Sequence, residues 1–250
     1  MKKVFILMPA YNEEFGLEFL LSRLSRVMSG LPYNWEVVVV NDGSKDRTLT
    51  VLHSFSGFMN LHVIDFKFNR GVTEVFREGF KYVLSVGRPE DFVITLDSDN
   101  TQSPYVIYDI LTGLESGSDI VVASRFQRGS QVIGVPAFRN FLSNGVAYLL
   151  RYIFPVPNLK DYSTFYRGYS ISKIQSLTMT RSIESLICGE GFSSMARFLI
   201  KLCYFGQAKV TEVPITLRYD LKEGGSGIRI FKTIVGYLRL IKDVKKELSS

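Results

Sequence analysis

The stretch "DFVITLDSDN" (residues 91–100) runs five apolar or β-branched residues into a turn that opens on two aspartates one residue apart. An unbroken apolar run of this length, without polar alternation, is what a strand covered on both faces looks like. Two carboxylates at i and i+2 repel each other unless a hard divalent cation such as Mg²⁺ or Mn²⁺ offsets the charge. A D-x-D by itself is common in surface turns. Directly after a buried strand it points to a cation site, because ligands of open α/β sheets bind beyond the carboxyl ends of the strands.

Working outward, four more runs have the same character: "KVFILMPAY" (3–11), "WEVVVVND" (35–42), "LHVIDF" (61–66) and "DIVVASRF" (119–126). Between them lie segments with apolar residues at three- and four-residue steps, at 12–30, 44–57, 71–87 and 103–117; Leu17, Leu20, Leu21, Leu24 and Val27 form one such face. The alternation predicts an α/β fold with an open, mostly parallel sheet flanked by helices. The second half is less regular: a helix over about 138–153, a strand-like "DYSTFYRGYSIS" (161–172), a helix over 191–205, a strand "AKVTEVPITLRY" (208–219) and an amphipathic C-terminal helix over about 228–247. No linker, repeat or low-complexity tract divides the chain. It reads as a single domain over 1–250, with a ligand-binding half at 1–126 and a second half at 127–250 laid over the active edge.

Charge is divided unevenly. The chain carries a net +6, but residues 1–120 sum to −5 and residues 121–250 to +11, which suits a cation in one half and an anion in the other. The basic residues match no nucleic-acid reader motif, so nucleic acid is not expected as a partner. Cys188 and Cys203 form no C-x-x-C pair and the chain has two histidines, so neither a zinc site nor a disulfide framework is expected. The apolar run before Pro9 is too short for a signal-peptide core and no 18-residue apolar run exists, so the expected setting is cytoplasmic. The stretches 141–157 and 228–248 set apolar residues against Arg and Lys; they fit either peripheral helices at an anionic membrane face or helices packed on the sheet.

Polar clusters fall at the predicted carboxyl ends: "PAYNEE" after the first strand, "NDGSKDRT" after the second, "DSDN" after the fourth and "SRF" after the fifth. Asp42, at a strand end, could accept hydrogen bonds from a nucleobase or ribose. Neither G-x-G-x-x-G nor G-x-x-x-x-G-K-[ST] is present, which excludes the dinucleotide fingerprint and the P-loop. The i, i+2 aspartates are also too close for the paired acids of a glycosidase, which stand roughly 5–10 Å apart.

Taken with "NRG" (69–71), "FRNFLSN" (138–144), "DYSTFYRGY" (161–169), "EVPITLRY" (212–219) and "GGSGIR" (224–229), these motifs resemble the family 2 inverting glycosyltransferases of GT-A fold. Within that family they are similar to the dolichyl-phosphate mannose synthase group and its bacterial polyprenyl-phosphate sugar transferases. The resemblance implies a nucleotide-sugar pocket lined by Pro9, Ala10, Tyr11, Glu13, Asp42 and the Asp97–Ser98 turn, with GDP-mannose or UDP-glucose as donor. It implies a Mg²⁺ or Mn²⁺ site on Asp97 and Asp99, and a polyprenyl phosphate held by Arg125, Arg139 and Ser143, with Arg218 a further anion contact. The family's D-A-D-x-Q appears as D-S-D-N-T, so Thr101 stands at the glutamine position and Gln102, the candidate third ligand, comes one place late. The G-F-R segment appears as Phe165-Tyr166-Arg167, and the final G-x-S-K appears as Gly225-Ser226-Gly227 with Arg229 beyond it. A phosphate acceptor is already anionic and needs positioning by Arg125 and Arg139; a hydroxyl acceptor would need a base, for which Asp161 is the candidate unless it is paired structurally with an arginine such as Arg167. The same donor chemistry on a hydroxyl of a glycan, protein or small molecule, and a catalytically silent sugar-nucleotide-binding protein, are the alternative readings.

Overall fold

The computed structural model describes the backbone of residues 1–135, 137–221 and 230–249, and side chains over 1–135, 144–221 and 233–249. In chain order the elements are β1 (Lys3–Ala10), α1 (Glu14–Ser29), β2 (Asn34–Asn41), α2 (Thr48–Phe55), β3 (Leu61–Asp65), α3 (Val72–Val86), β4 (Phe92–Thr95), α4 (Val106–Glu115) and β5 (Ile120–Ser124). There follow β6 (Gln131–Ile133), α5 (Ala137–Ile153), β7 (Arg167–Ser170), α6 (Ile171–Thr178), α7 (Ile183–Leu186), α8 (Ser193–Tyr204), β8 (Val210–Pro214), β9 (Thr216–Arg218) and α9 (Ile230–Leu248).

Seven strands form the main sheet in the order β3-β2-β1-β4-β7-β5-β8. All neighbours are parallel except β7, which runs antiparallel between β4 and β5. The carboxyl ends of β1, β2, β4 and β5 therefore share one edge, as the alternation of runs and helices predicts. Along β1 the side chains alternate between two cores. Phe5 and Leu7 join α3 and α8 on one face, while Val4, Ile6 and Met8 join α1 and α4 on the other. Both faces are buried, which is why these strands read as continuous apolar runs.

The second half departs from its sequence pattern in two places. Of the strand-like 161–172, only Arg167–Ser170 pairs as a strand. The run ahead of it, from Asp161, is held instead by side chains, with the Thr95 hydroxyl donating to the Phe165 carbonyl. The expected single strand over 208–219 breaks after Pro214: β8 pairs with β5, while β9 leaves the sheet and pairs with β6. Proline has no N–H to donate, so the main ladder ends there.

Gly168 lies in β7 where α4 crosses it. A Cβ there would run into Ile110 Cγ2 and stand 2.9 Å from Leu114 Cδ1. Gly168→Ala should therefore overpack this interface and cost about 1–3 kcal/mol, lowering Tm by roughly 3–10 °C in a thermal melt.

Candidate active site

The first wall of the edge is made by the turns after β1 and β2, sewn together by side chains. Asn12 adopts φ 55° and exchanges two bonds across the gap: its N–H donates to Ser44 Oγ at 2.9 Å, and Lys45 N–H donates to its Oδ1 at 2.8 Å. Glu13 N–H donates to Thr48 Oγ1 at 2.9 Å, and Arg47 pairs with Glu14 at 2.9 Å. Ser44 Oγ donates to Asn41 Oδ1, and Asn41 in turn donates to Asp65 at 2.6 Å. Among the residues expected to line a nucleotide pocket, Tyr11 is exposed, Pro9 and Glu13 are half-buried and Ala10 is buried in the sheet.

Asp42 serves its own backbone. Its two carboxylate oxygens accept the N–H groups of Arg70 at 2.6 Å and Gly71 at 3.0 Å, fixing the loop after β3. Burial raises its pKa, with those two bonds and the Arg70 charge opposing the rise. Gly43, at φ 66°, lets this loop close: a Cβ would collide with the Phe68 backbone and stand 2.7 Å from Asn69 N.

The turn after β4 holds the two aspartates. Ser98 is buried and donates to the Pro9 carbonyl at 2.6 Å, which ties the turn to β1. Asp97 accepts from Gln102 Nε2 at 2.6 Å, and Asp99 accepts from Thr101 Oγ1 at 2.6 Å and Thr101 N–H at 3.1 Å. Asn100 takes φ 58° and accepts from Arg23 of α1 at 3.0 Å. Gly16 brings α1 against this turn, where a Cβ would stand 3.1 Å from the Asp99 carbonyl carbon. Two carboxylates at the end of a buried strand are hard oxygen donors of the kind Mg²⁺ or Mn²⁺ takes, so this donor set fits the expected cation. Among the described residues, no group of three or more His, Cys, Asp or Glu side chains gathers in metal-binding geometry.

At the end of β5, Arg125 forks onto Asp161: Nε donates to Oδ2 at 2.7 Å, Nη2 to Oδ1 at 2.8 Å, and the Arg125 N–H adds a third bond at 3.1 Å. Asp161 is fully buried. Burial by itself would raise its pKa, but the Arg125 charge and hydrogen bonds outweigh this and hold the carboxyl at about 2. The structural partner of Asp161 is thus Arg125 and not Arg167. Arg167, also fully buried, donates to the carbonyls of Met195 at 2.7 Å and Tyr162 at 2.8 Å. A carboxylate with so low a pKa, closed off from solvent, is poorly suited to take a proton near neutral pH.

Arg139 and Ser143 fall in the first turns of α5 and lie outside the described side chains, as does the "GGSGIR" segment. Arg218, on β9, pairs with Asp220 at 2.8 Å, while its N–H donates to the Thr101 carbonyl at 2.9 Å. Two residues that the sequence reading did not single out help to build the site. Glu212 of β8 accepts the N–H groups of Lys160 and Asp161, both at 2.6 Å, and a charged residue inside an apolar strand run was its only signal. Tyr237 of α9 is buried beside the Arg125–Asp161 pair, and burial pushes its hydroxyl up to about 12. Of the two amphipathic stretches, α9 packs Tyr237, Leu240 and Val244 into the core and ion-pairs with α8 through Arg197–Asp243 and Lys201–Glu247, both at 2.8 Å. Tyr148, Leu149 and Tyr152 of α5 face solvent, and Tyr152 is 87% exposed. Among the described residues, no helix is long and apolar enough to cross a membrane.

The family model described as Glycosyl transferase family 2 matches residues 5–178. A dolichol-phosphate mannosyltransferase of Pyrococcus furiosus is 30% identical over 98% of this chain, which covers 64% of that protein. An undecaprenyl-phosphate 4-deoxy-4-formamido-L-arabinose transferase of Shewanella sediminis is 29% identical over 66% of this chain and 47% of its own length. The chain thus spans less than two thirds of either relative. Among solved structures, glucosyl-3-phosphoglycerate synthase from Mycobacterium tuberculosis, crystallised with Mn²⁺, uridine diphosphate and phosphoglyceric acid, superposes with a TM-score of 0.67 at 17% identity, over 96% of this chain and 78% of that one. This last likeness is one of fold, and the fold is GT-A.

Breaking the Arg125–Asp161 pair should be costly, because it strands a buried charge. Asp161→Asn removes one partner of a buried pair and should cost about 3–5 kcal/mol, a fall in Tm of about 10 °C. Because the folded pKa lies below the ordinary 3.8, the pair's contribution is fully present above that value and is lost as pH falls through about 2. Acid titration of the native protein followed by circular dichroism should show this component, and the Asn variant should lack it.

Proposed function

This chain belongs to glycosyl transferase family 2, and from that premise we propose that it is an inverting hexosyltransferase that moves mannose or glucose from a nucleotide sugar to a polyprenyl phosphate with Mg²⁺ or Mn²⁺ as cofactor. The observation that carries the reading is the placement of Asp97 and Asp99 at the end of β4, next to β1 and on the same edge as the sewn turns of β1 and β2. The 30% identity to a dolichol-phosphate mannosyltransferase over nearly the whole chain supports the acceptor.

In this reading the turns after β1 and β2 bind the nucleotide, with Pro9, Ala10, Tyr11 and Glu13 along the pocket and Asp42 holding its floor through Arg70 and Gly71. Asp97 and Asp99 hold the cation, and Ser98 keeps them against β1. When bound there, the cation supplies neutralising charge for the departing nucleoside diphosphate. The end of β5 and residues 127–250 take the acceptor: Arg125, together with Arg139, Ser143 and Arg218 of the second half, forms the cationic side that positions a lipid phosphate for in-line attack on the anomeric carbon. A phosphate acceptor needs no base. That agrees with Asp161, whose carboxylate is spent on Arg125, and it weighs against a hydroxyl acceptor activated by this residue. The exposed Tyr148, Leu149 and Tyr152 on α5 suit peripheral contact with the cytoplasmic face of a membrane.

The test is a donor screen that measures nucleoside diphosphate release from GDP-mannose and UDP-glucose with Mg²⁺ or Mn²⁺, with and without a short polyprenyl phosphate. Release that depends on the lipid phosphate is expected, and indifference to it would sink the acceptor. Asp99→Ala should lower transfer roughly 100-fold or more. Unchanged transfer would remove the cation role, and no transfer by the native protein with any donor would favour a silent binding protein. Arg139→Ala should harm transfer to a lipid phosphate far more than transfer to any hydroxyl acceptor.

A further inference from the structure

Gln102 is 4% exposed, and its side chain turns back to grip Asp97, five residues earlier. Its Oε1 accepts the Asp97 N–H at 3.2 Å and its Nε2 donates to Asp97 Oδ2 at 2.6 Å. These two partners decide which way round the amide sits. Reversed, it would set its carbonyl oxygen against a carboxylate and its –NH₂ against an N–H, and neither pair can bond. The backbone that launches this side chain is also held from behind: Gln102 forms an isolated bridge with Leu217, and Thr101 C=O accepts the Arg218 N–H. Thr101, 2% exposed, acts in the same way on Asp99, bonding one carboxylate oxygen with both its hydroxyl and its N–H.

We infer that Gln102 is a positioning residue that aims the Asp97 carboxylate, not a ligand of the cation, and that Thr101 does the same for Asp99. A ligand would have to present Oε1 to the cation, whereas here that atom faces the Asp97 N–H and the amide's donor end faces the carboxylate. Gln102, one place later than the glutamine of the family pattern, thus serves as an orienting partner of Asp97. The inference rests on the reading of Asp97 and Asp99 as the cation-holding pair.

The first measurement is a ¹⁵N–¹H spectrum of side-chain amides in the native protein in EDTA, with the Gln102 –NH₂ pair assigned by its loss in Gln102→Met. We expect the pair displaced downfield and slow to exchange with water, to return to ordinary positions in Asp97→Ala, and to stay displaced on saturation with Mg²⁺. An undisplaced, fast-exchanging pair in EDTA, or a displacement that collapses when Mg²⁺ binds, overturns the inference. Should Gln102→Met fail to fold, Gln102→Asn, whose amide is too short to span both Asp97 groups, gives the assignment. The second measurement is Mn²⁺ binding by electron paramagnetic resonance, together with the half-saturating Mn²⁺ for nucleoside diphosphate release. Gln102→Met should weaken both about 10-fold, the usual cost of losing an orienting partner, while KM for the acceptor stays within twofold. An unchanged Mn²⁺ requirement overturns the inference. If the native protein itself binds no Mn²⁺, the cation reading fails, while the metal-free spectrum still reports on the pairing of Gln102 with Asp97.

Discussion

Arg125 leaves the end of β5, Asp161 opens the run into β7, and the fork between them is buried where the two halves of the chain meet. A buried ion pair gains little over apolar packing, but removing one member strands a charge in a medium that cannot solvate it. The pair therefore acts as a constraint more than as a source of stability. Around it Glu212 holds the backbone of Lys160 and Asp161, Ser163 and Thr164 donate their N–H groups to Asp161, and Tyr237 of α9 is buried within reach of their charge. The antiparallel β7 can slot between two parallel strands because this knot delivers it there in register.

The edge built on that frame is divided by chemistry. On the side of β1, β2 and β4, carboxylates and amides are bonded to backbone N–H groups or to one another, so that negative charge is held in fixed directions. On the side of β5 and α5, two guanidinium groups share one ring: Arg125 lies over Phe126 at 5.5 Å, and Arg151 lies over it at 4.3 Å. Stacking on an aromatic ring keeps the Arg151 guanidinium in place without neutralising it, whereas Arg125 is already paired with Asp161.

Much of this frame could be read from residues alone, for reasons that belong to particular elements. β1, β2, β4 and β5 were legible because strands buried on both faces must be apolar throughout, and the turns beyond them because polar residues there have nowhere else to go. Asp97 and Asp99 stood out because mutual repulsion demands an explanation. The partner of Asp161 was not legible: Arg125 stands 36 residues away in sequence, and Arg167 offered an equally good guanidinium closer by. Nor was the grip of Asp42 on Arg70 and Gly71, since a carboxylate at a strand end reads alike whether it faces a ligand or its own backbone. The split of 208–219 at Pro214 had a visible cause, but β6, the strand that receives β9, is too short to announce itself.

That split gives the segment from Val210 to Arg218 the character of a spacer of set length. One end is measured against β5 by the β8 ladder; the other is measured against the Asp97–Gln102 turn by the bonds of Leu217 and Arg218. A one-residue insertion after Pro214 would leave β8 untouched, yet it would turn Leu217 out of the core and carry the Arg218 N–H away from Thr101. Variation in chain length is therefore barred from this joint, and any grafting of the second half onto another sheet must carry the whole of β8 and β9 with it.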